Sequence, residues 1–86
     1  MQIIKKNGSL QDFDRAKLER TITAASDSIK QRMNSSDANF LAEKVEEKIN
    51  SIRADKTSSF EIFAIVLYIL KAEGFAKVAD SYYMGA

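Results

Sequence analysis

The hydrophobic positions divide the chain into one short alternating segment and several segments with helical spacing. Residues 2–6 alternate weakly and run into Asn7-Gly8. This pair is typical of hairpin turns, since a type I′ turn needs positive φ at both central positions. A return strand from Leu10 to Phe13 follows, and its two end residues supply apolar contacts without strict alternation. The pattern therefore predicts an N-terminal β-hairpin.

Two amphipathic helices are predicted after the hairpin. Asp14 is placed to cap the first, and the polar stretch 31–37 predicts a loop before a second helix that starts at Asp37. Polar residues 53–57 are expected to form a connection after the second helix. Apolar residues at spacings of three and four mark the inward face of each helix. These residues are Leu18, Ile22, Ala25 and Ile29 in the first helix, and Leu41, Val45, Ile49 and Ile52 in the second.

The third segment, Ile62–Leu70, is apolar at every position, and its periodicity fits either a strand or a helix. Two signals favour a helix. Ser58 and Glu61 match a capping box, and Gly74 is suited to the position just after a helix end. A helix that is apolar on every side is expected to lie buried at the centre of the fold.

A final short helix is predicted, with Val78, Tyr82 and Phe75 facing inward. Together the elements predict an α+β fold that is predominantly α, with an N-terminal β-hairpin lid over a small four-helix bundle. Eighty-six residues are enough for one modest core. The whole chain, residues 1–86, is therefore expected to form a single domain.

Composition removes several classes of function. The chain contains no cysteine and no histidine, which excludes disulfides, thiol nucleophiles, imidazole catalysis and the usual zinc sites. No arrangement of base, nucleophile and orienting group is readable, so an independent enzyme is not expected. The net charge of +1 and the lack of a reader motif argue against direct nucleic-acid binding.

The chain also lacks signals for a membrane. Its longest apolar stretch is far shorter than the roughly 20 residues that span a bilayer. The N-terminus does not have the basic region and apolar core of a secretory signal. These two observations favour a cytoplasmic protein.

Lysines next to the hairpin turn and before the third helix are candidates for an anion site. Lys5 and Lys6 would point to opposite faces of a pleated strand, so at most one faces whatever the hairpin covers. Lysines on an edge strand also serve simply to prevent aggregation. Lys56 and Thr57 add a cation and a hydroxyl ahead of the apolar helix, where Ser58 alone suffices as a cap.

Cations are also concentrated at the start of the first helix, where Arg15, Lys17 and Arg20 lie. Positive side chains there oppose the helix dipole, whereas an anion bound at that terminus would make them favourable. Alternatively, the carboxylates of Asp12 and Asp14 neutralise these cations, and no bound anion is needed to explain them. The charge pattern by itself leaves both readings open.

In combination, these features resemble a known family. The opening MQIIKKNGSLQDFDRAKL is similar to the start of the ATP-cone, the nucleotide-binding regulatory domain at the N-terminus of many ribonucleotide reductases. The segments 56–58 and 78–82 resemble later parts of the family, so the resemblance covers essentially all 86 residues. It implies a non-catalytic module that binds ATP or dATP, with Mg²⁺ arriving on the nucleotide.

The resemblance also implies a set of site residues. Lys5 matches the phosphate-contacting lysine of the family, and Lys6 stands where the family usually has arginine. Two further sets of residues are expected to contact the base and the sugar, and a third set is expected to lie near the phosphates. They are Ile3, Phe13 and Leu18 as apolar contacts; Gln11, Asp14 and Lys17 as polar contacts; and Lys56 and Thr57 near the phosphates.

The implied partner is a ribonucleotide reductase catalytic domain or, in a repressor branch of the family, a zinc-ribbon DNA-binding segment. Neither fits within 86 residues that lack cysteine, so the partner is expected in another chain or outside this sequence; self-association is left open.

One departure from the family pattern favours an alternative function. Ser81 replaces a frequent arginine, which would suit an ATP-cone-like scaffold that has lost nucleotide binding and acts through protein contacts.

Overall fold

The computed structural model describes residues 1–52 and 55–85, which form a small sheet and a helical layer. The predicted class is confirmed, because the fold is predominantly helical with a β-hairpin at the N-terminus. In chain order the elements are β1 (Gln2–Ile4), β2 (Leu10–Asp12), α1 (Arg15–Ser28), α2 (Ser35–Ile52), β3 (Lys56–Ser58), α3 (Ser59–Ala72) and α4 (Ala76–Met84).

The sheet has the strand order β2-β1-β3, with β1 antiparallel to β2 and parallel to β3. Ile3 at the centre of β1 pairs with Gln11 on one side and with Thr57 on the other. The predicted polar connection, residues 53–57, is therefore wrong at Lys56 and Thr57, which belong to β3. Residues 53 and 54 lie outside the described part. Three polar residues carry no strand pattern of their own, so pairing with β1 determines their conformation.

The hairpin turn differs from the predicted type. The Gly8 N–H donates to the Lys5 carbonyl at 2.9 Å, and the Lys5 N–H donates to the Ser9 carbonyl at 2.9 Å. Gly8 has a φ of 85°, whereas Asn7 does not have positive φ, so the type I′ prediction is wrong. The loop is instead a turn followed by a left-handed glycine. The Asn7 Oδ1 accepts from the Ser9 N–H at 3.0 Å, which stabilises this arrangement.

The predicted helix caps are confirmed. The Asp14 Oδ1 accepts from the Lys17 N–H at 3.1 Å at the start of α1, and the Ser58 Oγ accepts from the Glu61 N–H at 3.1 Å at the start of α3. Each cap satisfies an N–H group that the first turn leaves without an intrahelical partner. Gly74 has a φ of 91° and ends α3 as predicted.

The start of α2 is two residues earlier than the prediction. The helix begins at Ser35, because the Asn34 Oδ1 accepts from the Asp37 N–H at 2.7 Å and so acts as the cap. Asp37 itself returns a weaker contact, with its Oδ2 accepting from the Asn34 N–H at 3.4 Å. Asp37 therefore lies in the first turn, where its negative charge is favourable.

The core lies where the inward faces of the four helices meet. Most of the predicted inward positions are buried, but Ile29, Ile52 and Leu10 are 39%, 48% and 52% exposed. The two isoleucines stand at helix ends, and Leu10 lies on the outer side of the hairpin, so those three predictions are wrong. The core residues are Leu18, Ile22, Ala25, Leu41, Ala42, Val45, Ile49, Ile65, Val66, Ile69, Leu70, Val78 and Ala79.

The apolar helix α3 is not buried on all sides, and that prediction is wrong. It packs against α2 and α4, while Phe60 and Tyr68 on its other side are 66% and 59% exposed. The side of α3 that carries these two rings therefore stays in solvent. No helix in residues 1–52 and 55–85 has both the length and the apolarity needed to cross a membrane.

Candidate functional site

A cleft of about 270 Å³ lies between the hairpin and the helices, and it is open to solvent. Its volume lies just below the range of about 300–1,000 Å³ that is typical of small-molecule sites. The hairpin and the following segment form one wall; α1, the first turns of α3 and one residue of α4 form the rest. The lining residues are Ile3, Lys5, Gln11, Asp12, Phe13, Asp14, Lys17, Leu18, Thr21, Ser59, Ile62, Phe63 and Tyr82.

The cleft brings together most of the residues that the sequence singled out. It leaves out Lys6, Lys56 and Thr57, which do not line it. The predicted residues that do line it come from β1, β2, the segment after β2 and the first turn of α1. They are Ile3, Lys5, Gln11, Phe13, Asp14, Lys17 and Leu18.

The two hairpin lysines are directed to opposite faces. Lys5 lines the cleft on the same side as Ile3. The Lys6 ammonium lies 5.5 Å from the centre of the Phe60 ring, on the solvent side of α3. β1 ends at Ile4 and Lys6 lies in the turn that the Gly8 N–H to Lys5 carbonyl bond closes, so the turn, and not the pleat of a strand as predicted, separates the two lysines. Of the two, Lys5 lines the cleft.

The cations at the start of α1 have different roles. The Arg15 guanidinium forms an ion pair with Glu46 of α2, with Nη2 to Oε1 at 2.8 Å and Nε to Oε1 at 3.0 Å. Arg15 therefore connects two helices and does not line the cleft. Arg20 also lies outside the lining, whereas Lys17 is part of it. The ion pair with Glu46 explains why a cation stands at position 15, whereas Lys17 is available to contact a ligand in the cleft.

Thr57 is 4% exposed and takes part in packing. Its hydroxyl donates to the Glu61 Oε1 at 2.5 Å, which joins β3 to the first turn of α3. Lys56, its neighbour, is exposed on the other side of the strand. The structure therefore places these two predicted phosphate contacts outside the cleft.

Ser59 lines the cleft but is not among the site residues that the sequence predicted. Its Oγ is buried and has no hydrogen-bond partner among the described residues. A buried hydroxyl without a partner costs about 1–3 kcal/mol, and a ligand in the cleft would satisfy it. Ile4 pairs with Ser58 at the end of the parallel register, and the residues that follow each of them, Lys5 and Ser59, both line the cleft. No local signal shows this, because it depends on the pairing of β1 with β3.

The polar lining residues provide both cationic groups and hydrogen-bond acceptors. Lys5, Lys17 and the N-termini of α1 and α3 favour an anionic group. The carboxylates of Asp12 and Asp14, together with the Gln11 side chain, accept hydrogen bonds from hydroxyl or amino groups. The described residues hold no group of three or more Asp, Glu, His or Cys that would bind a metal ion.

Aromatic side chains form the apolar wall of the cleft. Phe13 lies at the hairpin side, while Phe63 and Tyr82 come from α3 and α4, with ring centres 5.7 Å apart. Flat aromatic surfaces favour a flat ligand ring. The cleft is thus suited to a ligand with a planar apolar part, several hydrogen-bond donors and an anionic end.

Ser81 anchors α4 next to this wall. Its hydroxyl donates to the Ala25 carbonyl of α1 at 2.8 Å and lies 2.9 Å from the Ser28 Oγ. The residue that stands in place of a frequent arginine therefore positions the helix that carries Tyr82. It does not line the cleft.

Comparisons with known proteins agree with this architecture. The profile of the ATP cone domain matches residues 1–84. The transcriptional repressor NrdR of Pediococcus pentosaceus is 37% identical over 68 residues, which are 79% of this chain and 42% of that protein. The matched region thus covers less than half the length of that relative.

Proposed function

The chain belongs to the ATP-cone family, and we propose that it is a single-domain regulatory module that binds ATP or dATP and catalyses no reaction. One observation carries the proposal. Lys5 and Lys17, from separate segments, line the same cleft as the aromatic wall. A nucleotide requires both features, because its base is flat and apolar while its phosphates are anionic.

The lining suggests how the nucleotide lies. The base packs between Phe13 and the α3–α4 wall, and its amino group or the ribose hydroxyls donate to Gln11 and Asp14. The phosphates lie at the mouth of the cleft near Lys5 and Lys17. Mg²⁺ arrives on the nucleotide, since this ion is commonly bound through phosphate oxygens.

The regulated partner is, in this proposal, a ribonucleotide reductase or a related regulator, in the same chain or another. A relative named as a transcriptional repressor supports the second kind. Nucleotide binding would change the activity or the oligomeric state of the partner. By linkage, the partner must then change the nucleotide affinity by the same factor.

Isothermal titration of the chain with ATP and with dATP, in buffer containing Mg²⁺, tests the proposal. We expect saturable binding of at least one of them below millimolar concentration. Circular dichroism shows in parallel whether the helices are intact. If a folded chain binds neither nucleotide at millimolar concentration, the sensor function is wrong and the scaffold that lacks nucleotide binding takes its place.

Lys17→Ala is expected to weaken ATP binding roughly tenfold, which corresponds to about 1.4 kcal/mol. The substitution removes a cation from the cleft but leaves the Asp14 cap intact, because that cap uses the backbone N–H of residue 17. Helix α1 should keep its stability or gain slightly, since a cation leaves its first turn. Isothermal titration and thermal melting measure the two effects.

Arg15→Ala is the matched control for this variant. It removes a cation from the same helical turn, but one that pairs with Glu46 outside the cleft. ATP affinity should stay within about twofold of the original, while stability falls by no more than about 1 kcal/mol, as for a partly exposed ion pair. Equal affinity losses in both variants would show that the cations act only through the overall field.

Ser59→Ala is expected to weaken ATP binding by roughly fivefold without lowering the melting temperature. The hydroxyl has no partner among residues 1–52 and 55–85, so its removal breaks no hydrogen bond within that part of the chain. A ligand hydrogen bond to this hydroxyl is worth about 1 kcal/mol. Unchanged ATP affinity in this variant would show that the nucleotide does not reach the N-terminus of α3.

A further inference from the structure

Helix α3 exposes an apolar stripe that the fold leaves uncovered. Phe60, Ala64 and Tyr68 are spaced by four residues, so they lie on one side of the helix. All three are exposed, with Phe60 at 66% and Tyr68 at 59%. The solvent side of a helix in a soluble domain is normally polar, and a continuous apolar stripe marks an interaction site.

The stripe continues onto α2. Phe40, Lys44 and Lys48 are also spaced by four residues, and Phe40 is 43% exposed. The Lys48 ammonium lies 5.8 Å from the centre of the Tyr68 ring, which joins the two helices into one surface. We call this surface the outer face; its residues are Lys6, Phe40, Lys44, Lys48, Phe60, Ala64 and Tyr68, and none of them lines the cleft.

The outer face is positively charged. Lys44 lies 5.5 Å from the centre of the Phe40 ring, and Lys6 lies 5.5 Å from that of Phe60, so each of its aromatic rings has an ammonium above it. Lys44 also has an ion-pair contact with Glu47, at 3.8 Å. The Glu47 carboxylate offsets the charge of Lys44, so Lys6 and Lys48 carry the net positive charge of this surface.

We propose that the outer face binds an acidic amphipathic helix of a partner protein. Apolar side chains of that helix would cover Ala64 and Tyr68, and its carboxylates would pair with Lys48 and Lys6. An acidic partner is chosen because its carboxylates would complement the positive charge of these lysines. A second copy of the chain would bring like charges together in a twofold contact. Each of the three rings has an ammonium over one face, which leaves that face unsuited to base stacking.

A defined probe tests the proposal on the full chain. The probe is a fluorescein-labelled synthetic helical peptide of about 18 residues, with leucine at i, i+3, i+4 and i+7 and glutamate at the flanking positions. A peptide of identical composition in scrambled order is its control. Fluorescence anisotropy should show the amphipathic peptide binding at least about tenfold more tightly than the scrambled one, with affinity falling as salt increases.

Variants on the outer face locate the binding. Lys48→Glu should weaken peptide binding by about tenfold, and Tyr68→Ala by about fivefold. Lys77→Glu, which makes the same charge change on an exposed position of α4, should leave peptide binding within about twofold. ATP affinity should be unchanged in Lys48→Glu, so a failure of nucleotide binding is distinguished from a failure of this inference.

Each of the following results would overturn the inference: equal binding of the two peptides, or equal losses in Lys48→Glu and Lys77→Glu. Light scattering that shows a concentration-dependent dimer abolished by Tyr68→Ala would assign the face to a second copy instead. Binding of an oligo-dT strand that is lost in Lys48→Glu, without peptide binding, would assign it to nucleic acid.

Discussion

Lys5→Glu is expected to lower the affinity for ATP by roughly 100-fold, whereas Lys6→Glu lowers it by no more than about threefold. Lys5 lines the cleft, while the Lys6 ammonium lies over the Phe60 ring outside it. The change at Lys5 removes a cation from the phosphates and puts a carboxylate beside them. A 100-fold loss corresponds to about 2.7 kcal/mol, within the range for disrupting a close charge pair.

The two variants control for each other. They are neighbours in the chain and change the net charge equally, so the overall field of the protein changes by the same amount. Only the side of the hairpin differs. Isothermal titration of both with ATP measures the difference, and equal losses would show that the phosphates do not lie on one side of the hairpin.

Leu70→Ala is expected to lower the free energy of unfolding by about 2–5 kcal/mol, through lost burial and the cavity left behind. Leu70 is fully buried in the core between the helices. Domains of this size are typically stable by only about 5–15 kcal/mol, so the loss is a large fraction of the total. Urea unfolding followed by circular dichroism measures it from the shift of the midpoint.

Tyr68→Ala is the matched comparison on the same helix. Its side chain is 59% exposed, so the cost should stay below about 1 kcal/mol. A cost as large as that of Leu70→Ala would mean that α3 is buried on every side, as its composition alone predicts. The pair therefore tests which side of α3 belongs to the core.

Local signals predicted the helices and their ends well. Asp14 and Ser58 cap α1 and α3, and Gly74 ends α3 in the left-handed conformation. Each signal acts within one turn of the chain, between a side chain and a backbone group a few residues away. The type of the hairpin turn was less predictable, because the Asn7 side chain bonds to Ser9 and Asn7 does not adopt positive φ.

The composition of the cleft was predictable only in part. The family resemblance pointed to Lys5 and Lys17 among other residues, and the fold brings these two into one cleft. Thr57 was expected there as well, but its hydroxyl is engaged by Glu61. Ser59 enters the cleft because β3 pairs in parallel with β1, and three polar residues give no sequence signal for that pairing.

The sequence by itself determined the class of fold, the four helices, the caps of α1 and α3 and most of the residues that face the core. It also excluded thiol and imidazole chemistry, since the chain has neither side chain. Only the tertiary structure decided the third strand, the exposed side of α3 and the membership of the cleft. The reason is physical: caps and periodicity act between near neighbours. Exposure and site geometry arise from contacts such as Ile3 with Thr57 and Arg15 with Glu46, which join distant segments.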